Sequence, residues 1–321
     1  MSGRKDQLNL FGGVQKESEV VAEPPDSETV ELATKLPSDL YMGTSSWAFP
    51  GWRGLVYGGQ PAKTALSRDG LSAYAAHPLL SAVGVDRSYY APISIDEFRG
   101  YAEQVPETFR FLVKAGQQVT SPVTAGPARD LNPHFLDPSW AGDYAIRPYV
   151  EGLGSKAGVL LFQLPPIPKG TFAAPEDFAD ALYGFLSKLP KGARYAVELR
   201  NAGLFTGRYR EALEATGVSH CYNVHPTMPS LERQKQIVPI GRGPLVIRWM
   251  LREGLTFEGA RERYAPFDDI VDHDVDTRLS LVSSIDEVVE AGGRIILIVN
   301  NKAEGCSPRS ILELAKAWVK R

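Results

Sequence analysis

The chain has 321 residues, of which 43% are hydrophobic, and this is enough for one large globular domain. Its net charge of −3 is uneven, because residues 1–40 carry four basic and eight acidic side chains. The remainder is therefore close to neutral and has no strongly basic field for bulk capture of nucleic acid, which leaves only local cationic pockets. The two cysteines, Cys221 and Cys306, are too few for a disulfide framework or a CxxC metal site.

Targeting and membrane signals are missing from the sequence. The N-terminus has no apolar signal-peptide run, and no stretch reaches the length of a membrane span. Together with the low cysteine count, this predicts a cytoplasmic protein that makes no membrane contact.

Residues 1–39 are predicted to be a disordered tail. Residues 12–39 are rich in Gly, Pro, Glu and Ser and contain no aromatic residue, so they bury too little apolar surface to offset chain entropy. Nevertheless, Gln7-Leu8-Asn9-Leu10-Phe11 places three large apolar residues within four positions. Apolar residues on such a tether predict a short partner-binding motif at residues 7–11, with a segment that folds back onto the domain as the alternative.

Residues 40–321 are predicted to form a single α/β domain. Apolar runs rich in β-branched or aromatic residues occur at 40–45, 82–90, 109–115, 158–166, 194–200, 218–224, 244–250 and 294–300. Segments with helical spacing lie between them, among them SIDEFRGYAEQV, PEDFADALYGFLSKL, SSIDEVVEAGG and SPRSILELAKAWVKR. Eight buried strands alternating with helices predict a (β/α)8 TIM-type barrel. The rival, an open doubly wound sheet, lacks its Gly-x-Gly-x-x-Gly turn after the first strand.

Polar residues at the strand ends are the candidates for chemistry, because active sites of such barrels form at the carboxyl ends of the strands. Glu198 and Arg200 are two residues apart and therefore point to the same side of their strand. Two interpretations stay open: an acid–base carboxylate beside an anion-binding guanidinium, or a structural ion pair that fills the barrel with help from Lys114 or Arg248.

Asp86 is a second candidate catalytic carboxylate beside Glu198. The two could form the carboxylate pair of a glycosidase, but nearby cations would keep both ionised. Convergence of Lys114, Arg200 and Arg248 favours an anionic substrate, whether phosphate, carboxylate or a nucleic-acid backbone.

Other chemistries have weaker support in the sequence. The five histidines form no ligand-spaced cluster, and VDHDVD at 271–276 reads as a solvated acidic loop more readily than as a Mg²⁺ or Mn²⁺ site. No metal ligand is therefore named, although a divalent metal is not excluded, and no organic cofactor is indicated. Cys221 and His220 should project to opposite faces of a strand, which argues against a thiol nucleophile. Four aromatic residues near the predicted mouth could stack a base or a sugar, or could pack loops on the rim: Trp47, Trp52, Tyr89 and Tyr90.

The stretch GTSSWAFPGWRGLVY resembles the opening strand and loop of the YecE-like family, domain of unknown function 72. FRFLVKA, LLFQLPP, YAVELRN and IVNNKAEG are similar to that family's third, fourth, fifth and eighth strands, in the same order. The resemblance spans about residues 41–320 and implies a TIM barrel, but it implies no activity, because none is established for the family.

The resemblance also suggests which polar positions bind a ligand. They fall on Thr44, Trp47, Lys114, Gln163, Glu198, Arg200, Arg248, Asn300 and Asn301. This chain departs from the family pattern at three places. Asp86 replaces a Glu, Asn201 replaces a His, and Met250 stands where the family has the His of Arg-x-His-Gly. Whether the loss of two imidazoles abolishes activity stays open, because histidine is the usual proton carrier at neutral pH.

The QLNLF segment resembles the bacterial sliding-clamp-binding motif, Gln-Leu-x-Leu-Phe. Leu8, Leu10 and Phe11 would enter an apolar groove while Gln7 fixes the register by hydrogen bonding. A clamp-bound barrel with a cationic mouth predicts a hydrolytic enzyme of nucleic-acid or nucleotide metabolism that takes part in DNA repair. The alternatives are a non-catalytic adaptor that binds a phosphorylated ligand or DNA, and a sugar-phosphate enzyme unrelated to DNA.

Overall fold

The computed structural model describes residues 20–241 and 243–321, and within them eight parallel strands close into a barrel. The strands pair in chain order, and β1 completes the ring by pairing with β8 from Leu40↔Ile295 to Thr44↔Val299. Each strand falls within or overlaps one of the predicted runs, so the TIM-type barrel prediction is confirmed. The strands are β1 Leu40–Thr44, β2 Ala82–Val85, β3 Arg110–Lys114, β4 Ala157–Gln163, β5 Tyr195–Glu198, β6 Ser219–Val224, β7 Leu245–Trp249 and β8 Ile295–Val299.

Helices surround the barrel and connect its strands. In the described part of the chain the α-helices are α1 Ser27–Lys35, α2 Lys63–Asp69, α3 Leu71–Ala75, α4 Ile95–Glu103, α5 Gln117–Thr120, α6 Pro138–Ala141, α7 Arg147–Leu153, α8 Pro175–Leu186, α9 Gly207–Thr216, α10 Leu231–Ile237, α11 Phe257–Tyr264, α12 Val275–Glu290 and α13 Ser307–Val319. A π-helical turn at Gly142–Ile146 joins α6 to α7, and 3-10 turns occur at Pro50–Trp52, Arg87–Tyr89, Gly154–Lys156 and Ala202–Leu204. None of the helices in these residues is long and apolar enough to cross a membrane.

Strand alternation divides the apolar residues into two layers. Side chains that point inward fill the barrel: Tyr41, Ala82, Leu112, Val159, Leu161, Ala196, Cys221, Val246, Ile296 and Ile298. The intervening residues pack outward against the helices in a larger cluster that includes Met42, Phe111 and Ile247. Because the inward positions continue in steps of two, the residue that follows Ala196 inside the barrel is Glu198, and the one after Val246 is Arg248.

Residues 20–39 correct the predicted boundary of the disordered tail. Helix α1 forms there because the Asp26 carboxylate accepts a hydrogen bond from the Thr29 backbone N–H at 2.7 Å and caps the helix, and because Leu32 is buried. The helix packs on α13. Composition alone misses such a helix, since one buried face of Thr29 and Leu32 is enough to dock it. Residues 1–19, which include the motif at 7–11, lie outside the described residues.

The segment before α1 is fixed beside the loop that follows β1. The Glu23 backbone N–H donates to the Val56 carbonyl at 2.9 Å, and the Gly58 N–H donates to the Val21 carbonyl at 3.0 Å. Because this loop follows a strand, it belongs to the carboxyl end of the barrel. The described chain therefore starts near the face that carries the strand ends.

The long connection between β7 and α12 lies at the rim of the same face. Its Phe267 ring meets Phe49, in the loop after β1, edge to face at 5.9 Å between centroids. Its Val271 backbone N–H donates to the carbonyl of Glu304, in the loop after β8, at 2.8 Å. The connection includes α11, and α12 begins at Val275, eight residues before the predicted SSIDEVVEAGG segment. These contacts close one side of the barrel mouth.

Candidate functional site

Polar side chains replace apolar ones where the inward-facing positions reach the carboxyl ends of the strands. This is a direct result of strand periodicity, because each polar residue follows an inward-facing residue by two or four positions. The inward-facing polar set consists of Ser45, Asp86, Lys114, Gln163, Glu198, Arg200, Asn223, His225, Arg248 and Asn300. Most of the residues predicted from the sequence are therefore brought to the carboxyl end of the barrel interior.

Four of these side chains form a continuous chain of ion pairs. Arg248 Nη1 donates to Glu198 Oε2 at 2.7 Å, and Arg248 Nη2 donates to Asp86 Oδ1 at 3.2 Å. Arg200 Nη2 lies 2.5 Å from the other oxygen of Glu198, outside hydrogen-bonding angles. Glu198 thus bridges two guanidinium groups and Arg248 bridges two carboxylates. We call Asp86, Glu198, Arg200 and Arg248 the ion cluster.

The charge of Glu198 is held firmly by this arrangement. Burial by itself raises its pKa, but Arg200 and Arg248 lower the pKa by more than burial raises it, so that it falls to about 2. Burial also opposes the charge of Arg248, yet Glu198 and Asp86 raise its pKa above the ordinary value. Glu198 is fully buried, and a carboxylate with so low a pKa accepts protons poorly at neutral pH. Its geometry suits holding the two guanidinium groups better than the predicted role of base.

Asp86 differs from Glu198 in its access to solvent. About 33% of its side chain is exposed, whereas Glu198 and Arg248 are almost completely enclosed. Asp86 is therefore the carboxylate of the ion cluster that a bound molecule can reach.

Lys114 lies beside the ion cluster without an ion pair of its own. Its ammonium stands 4.1 Å from the centre of the Tyr89 ring, and no carboxylate of the described residues lies within 4 Å of it. Burial lowers the pKa of Lys114, and Asp86 partly offsets this effect. Three basic side chains thus meet two carboxylates, Asp86 and Glu198, which leaves one basic group uncompensated at the mouth.

Two inward-facing residues of the β6 end join the site, although they were given no role from the sequence. Asn223 is fully buried and donates to the Leu199 carbonyl at 3.3 Å. His225 follows it at the mouth, and its pKa is lowered to about 4, first by burial and then by the positive charge of Arg200. The signal that finds them is periodicity, since Asn223 and His225 continue the inward positions that start at Cys221.

Gln163 and Asn300 complete the ring of polar groups. Gln163 is nearly buried, and its side-chain amide finds no hydrogen-bond partner among the residues described. Asn300 donates from Nδ2 to Ser45 Oγ at 3.2 Å and accepts the Lys302 backbone N–H at 2.9 Å. Gln163 therefore retains hydrogen-bonding capacity for a ligand.

Three predicted ligand-binding residues lie outside this inward-facing set. Thr44 points outward from β1, where its hydroxyl pairs with Tyr74 at 2.9 Å. The Trp47 indole is buried and donates to the Leu66 carbonyl at 3.0 Å. Asn301 accepts the backbone N–H of the first residue of α13 at 2.8 Å. Each is a fold-supporting contact. Thr44 and Asn301 lie one position from the inward-facing Ser45 and Asn300 and so face outward, whereas Trp47 lies beyond the end of β1 and packs in the core.

Two of the four aromatic residues predicted near the mouth are buried in the core. Trp47 and Trp52 belong to the hydrophobic core, and Trp52 is fully buried. Tyr89 lies under Lys114, and Tyr90 packs edge to face on Tyr89 with 70% of its surface exposed. Of these four residues, Tyr89 and Tyr90 are therefore the two available to a ligand at the mouth.

The positions at which the chain departs from the family pattern have structural partners. Asn201 accepts the Ile167 backbone N–H at 2.8 Å and donates to the Ile167 carbonyl at 3.1 Å, which fixes the loop after β4. The Met250 sulfur lies 4.0 Å from Ser45 Oγ at the rim. The imidazole at the mouth is supplied by His225 instead.

The acidic loop and the cysteines have no reactive arrangement. In the described residues no group of three His, Cys, Asp or Glu side chains could hold a metal ion. Asp272 of VDHDVD accepts hydrogen bonds from Arg263 Nε at 2.6 Å and the Tyr264 hydroxyl at 2.7 Å. Cys221 faces the barrel interior, where burial raises the pKa of its thiol well above the usual range, while His220 points outward.

The fold and the site define a parallel eight-stranded barrel with a cluster of charged side chains at its carboxyl end. Residues 41–321 match the family described as "Protein of unknown function DUF72", and the chain belongs to this family. It is 32% identical over 127 residues to the UPF0759 protein YunF of Bacillus subtilis (strain 168), an alignment that covers 40% of each chain.

Solved structures of the family share the fold. The chain aligns with a DUF72 family protein of Thermotoga maritima at a TM-score of 0.60 and 17% identity, covering 88% of this chain and 99% of the other. A DUF72 family protein of Enterococcus faecalis aligns at a TM-score of 0.58 and 18% identity, covering 87% of this chain and 95% of the other. At these identities the similarity shows the fold alone.

Proposed function

We propose that the barrel mouth binds the phosphate group of a nucleotide or nucleic acid. The observation that carries this proposal is the unpaired ammonium of Lys114, held over Tyr89 beside an ion cluster whose own charges are balanced. Arg200 is the second group for the anion, since its side chain is 10% exposed and its ion pair with Glu198 engages only Nη2. A guanidinium and an ammonium at a partly enclosed site are the usual groups for phosphate.

Calorimetric titration with a nucleoside 5′-monophosphate tests this binding. Lys114→Met should abolish measurable binding. Lys191→Met removes an exposed lysine in the loop before β5, at the amino end of the barrel, and should leave binding unchanged. Binding should also weaken with salt, because the recognised group is an anion. Equal affinity of the two lysine variants would contradict the proposal.

A hydrolytic reaction is the second part of the proposal. Asp86 is the accessible carboxylate of the ion cluster, so it is the group that takes a proton from an attacking water. Arg248 holds the Asp86 carboxylate in place by its hydrogen bond. Glu198 would act only by positioning Arg200 and Arg248. Asp86→Asn should therefore remove turnover of a phosphodiester or phosphomonoester while the ligand still binds.

A non-catalytic adaptor is the alternative, and measuring binding and turnover together distinguishes it from a hydrolytic enzyme. Wild-type protein that binds the nucleotide or a DNA oligomer without any turnover supports the adaptor. If a sugar phosphate displaces a nucleotide and no DNA binds, a sugar-phosphate enzyme is the better description. The low basic charge of the domain outside the mouth favours a small phosphorylated ligand or a single bound strand over a long duplex.

We also propose that Gln7-Leu8-Asn9-Leu10-Phe11 binds a bacterial sliding clamp. The support is the sequence match together with the position of residues 21–23, which pair with the loop after β1 at the carboxyl end of the barrel. The described chain thus begins at the face that carries the proposed phosphate site.

Fluorescence polarisation of a labelled peptide of residues 1–20 with a purified clamp tests this partner. Micromolar binding that is lost when Gln7, Leu10 and Phe11 are changed to Ala would support it. Absence of binding by the unchanged peptide would refute the clamp link and leave the phosphate site to be tested alone.

A further inference from the structure

His225 is the imidazole that faces the barrel mouth. It lies two positions after Asn223 on the inward side of the β6 end, and it experiences the charges of Arg200, Glu198 and Arg248. It is partly exposed and also lines, with Asn223 and residues of the loops after β6 and β7, a cavity of about 510 Å³. The ring is therefore in a position to touch a molecule bound next to the ion cluster.

The hydrogen bonds of the ring determine which nitrogen carries the proton. The Thr227 backbone N–H donates to His225 Nδ1 at 3.2 Å, and the Thr227 hydroxyl lies 2.9 Å from the same nitrogen. A backbone N–H can only donate, so Nδ1 must offer its lone pair. A neutral ring with an unprotonated Nδ1 carries its proton on Nε2.

The surroundings also disfavour a second proton. Protonation of Nδ1 would set its N–H against the N–H of Thr227, and it would add a positive charge near Arg200 and Arg248. Burial and Arg200 lower the pKa of His225 to about 4, although Glu198 opposes them. Nε2 makes no hydrogen bond to a protein acceptor in the described part of the chain, since both contacts of the ring are at Nδ1. Its N–H is thus left for a ligand.

We propose that His225 is a fixed hydrogen-bond donor, which presents Nε2–H to an acceptor oxygen of the bound molecule and does not take a proton from it. This inference rests on the proposed function for the nature of the ligand, a phosphate oxygen, whereas the tautomer rests on Thr227 alone. A neutral donor adds a directional contact to the charges of Lys114 and Arg200. It also leaves Asp86 as the group for proton abstraction.

Nitrogen NMR of the full-length protein tests the tautomer without any ligand. Spectra of histidine-labelled protein at pH 7 should include a ring with a protonated Nε2 and an unprotonated Nδ1 whose signals disappear in His225→Gln. A ring assigned to His225 with its proton on Nδ1, or with both nitrogens protonated, would overturn the inference.

Titration with inorganic phosphate tests the donor itself. His225→Gln keeps an N–H group at about the position of Nε2, so its affinity should stay within about threefold of wild type, whereas His225→Ala should bind about tenfold more weakly. His134→Ala, at a partly exposed ring in another loop, is the control and should bind as wild type does.

The outcomes separate the two proposals. Equal affinity of wild type, His225→Gln and His225→Ala would overturn the donor role, and so would equal weakening of both variants. Failure of wild type to bind phosphate would instead contradict the proposed function, and the NMR result would still decide the tautomer of His225. Unchanged thermal unfolding of His225→Ala shows that a loss of binding is not a loss of folding.

Discussion

Substitution of Glu198 by Gln should destabilise the barrel strongly, because it leaves buried guanidinium charge without its bridging carboxylate. Glu198 contacts Arg248 at 2.7 Å and Arg200 at 2.5 Å, and it is fully buried. Its pKa falls from an ordinary 4.5 to about 2. At about 1.4 kcal/mol per pKa unit, the ionised carboxylate contributes roughly 3 kcal/mol to the free energy of unfolding.

The usual cost of breaking a buried ion pair gives a similar loss of unfolding free energy for Glu198→Gln. Removal of one partner from a buried ion pair costs about 3–5 kcal/mol, because the remaining charge is left unpaired. Arg248 retains Asp86 as a partner, so the lower end of that range is expected. The two routes agree on about 3 kcal/mol.

Urea unfolding at pH 7, followed by circular dichroism, measures this loss. The matched control is Glu31→Gln, which breaks the exposed Glu31–Lys35 pair and should leave the midpoint unchanged. The folded-state pKa of Glu198 is depressed, so the advantage of wild type over Glu198→Gln is complete above pH 4.5 and is lost as the pH falls toward 2. A Glu198→Gln protein as stable as the control at pH 7 would refute the reasoning.

Three further predictions concern stability away from the mouth. The pKa of buried His220 is lowered to about 4, so unfolding takes up a proton and stability should fall as the pH drops from 6.5 to 4. The thermal unfolding temperature should depend less on pH across this range in His220→Asn than in wild type. Leu32→Ala should cost about 2–3 kcal/mol in urea unfolding, since Leu32 docks α1, and an unchanged midpoint would contradict the docking. Glu304→Gln removes the buried partner of Arg278, so proteolysis should cut the connection between β7 and α12 sooner than in wild type.

Strand periodicity was enough to predict much of the site. Because the inward positions recur in steps of two, the sequence places Asp86, Lys114, Glu198 and Arg248 at one end of the barrel once the strands are recognised. The fold could be predicted from the eight apolar sequence runs, because strands that are largely apolar must be buried and eight of them alternate with helices. His225 could have been found in this way too, by extending the inward positions of β6.

The pairing within the site could not be predicted in this way. Arg248 and Asp86 are 162 positions apart, and only the closure and stagger of the barrel decide that they meet across its interior. Thr44 falls on the outer face of β1, which the family pattern does not mark, and Trp47 lies beyond the end of β1, where strand alternation no longer applies. Helix α1 was missed because its docking depends on the surface of α13, at the opposite end of the chain.

The most direct test of the account is a crystal structure of the full chain grown in inorganic phosphate. We predict phosphate density at the barrel mouth, within hydrogen-bonding distance of Lys114 Nζ and of Arg200, with His225 Nε2 directed at one of its oxygens. An ordered phosphate elsewhere, for example between Arg194 and Arg294 at the amino end of the barrel, with only water beside Lys114, would contradict it.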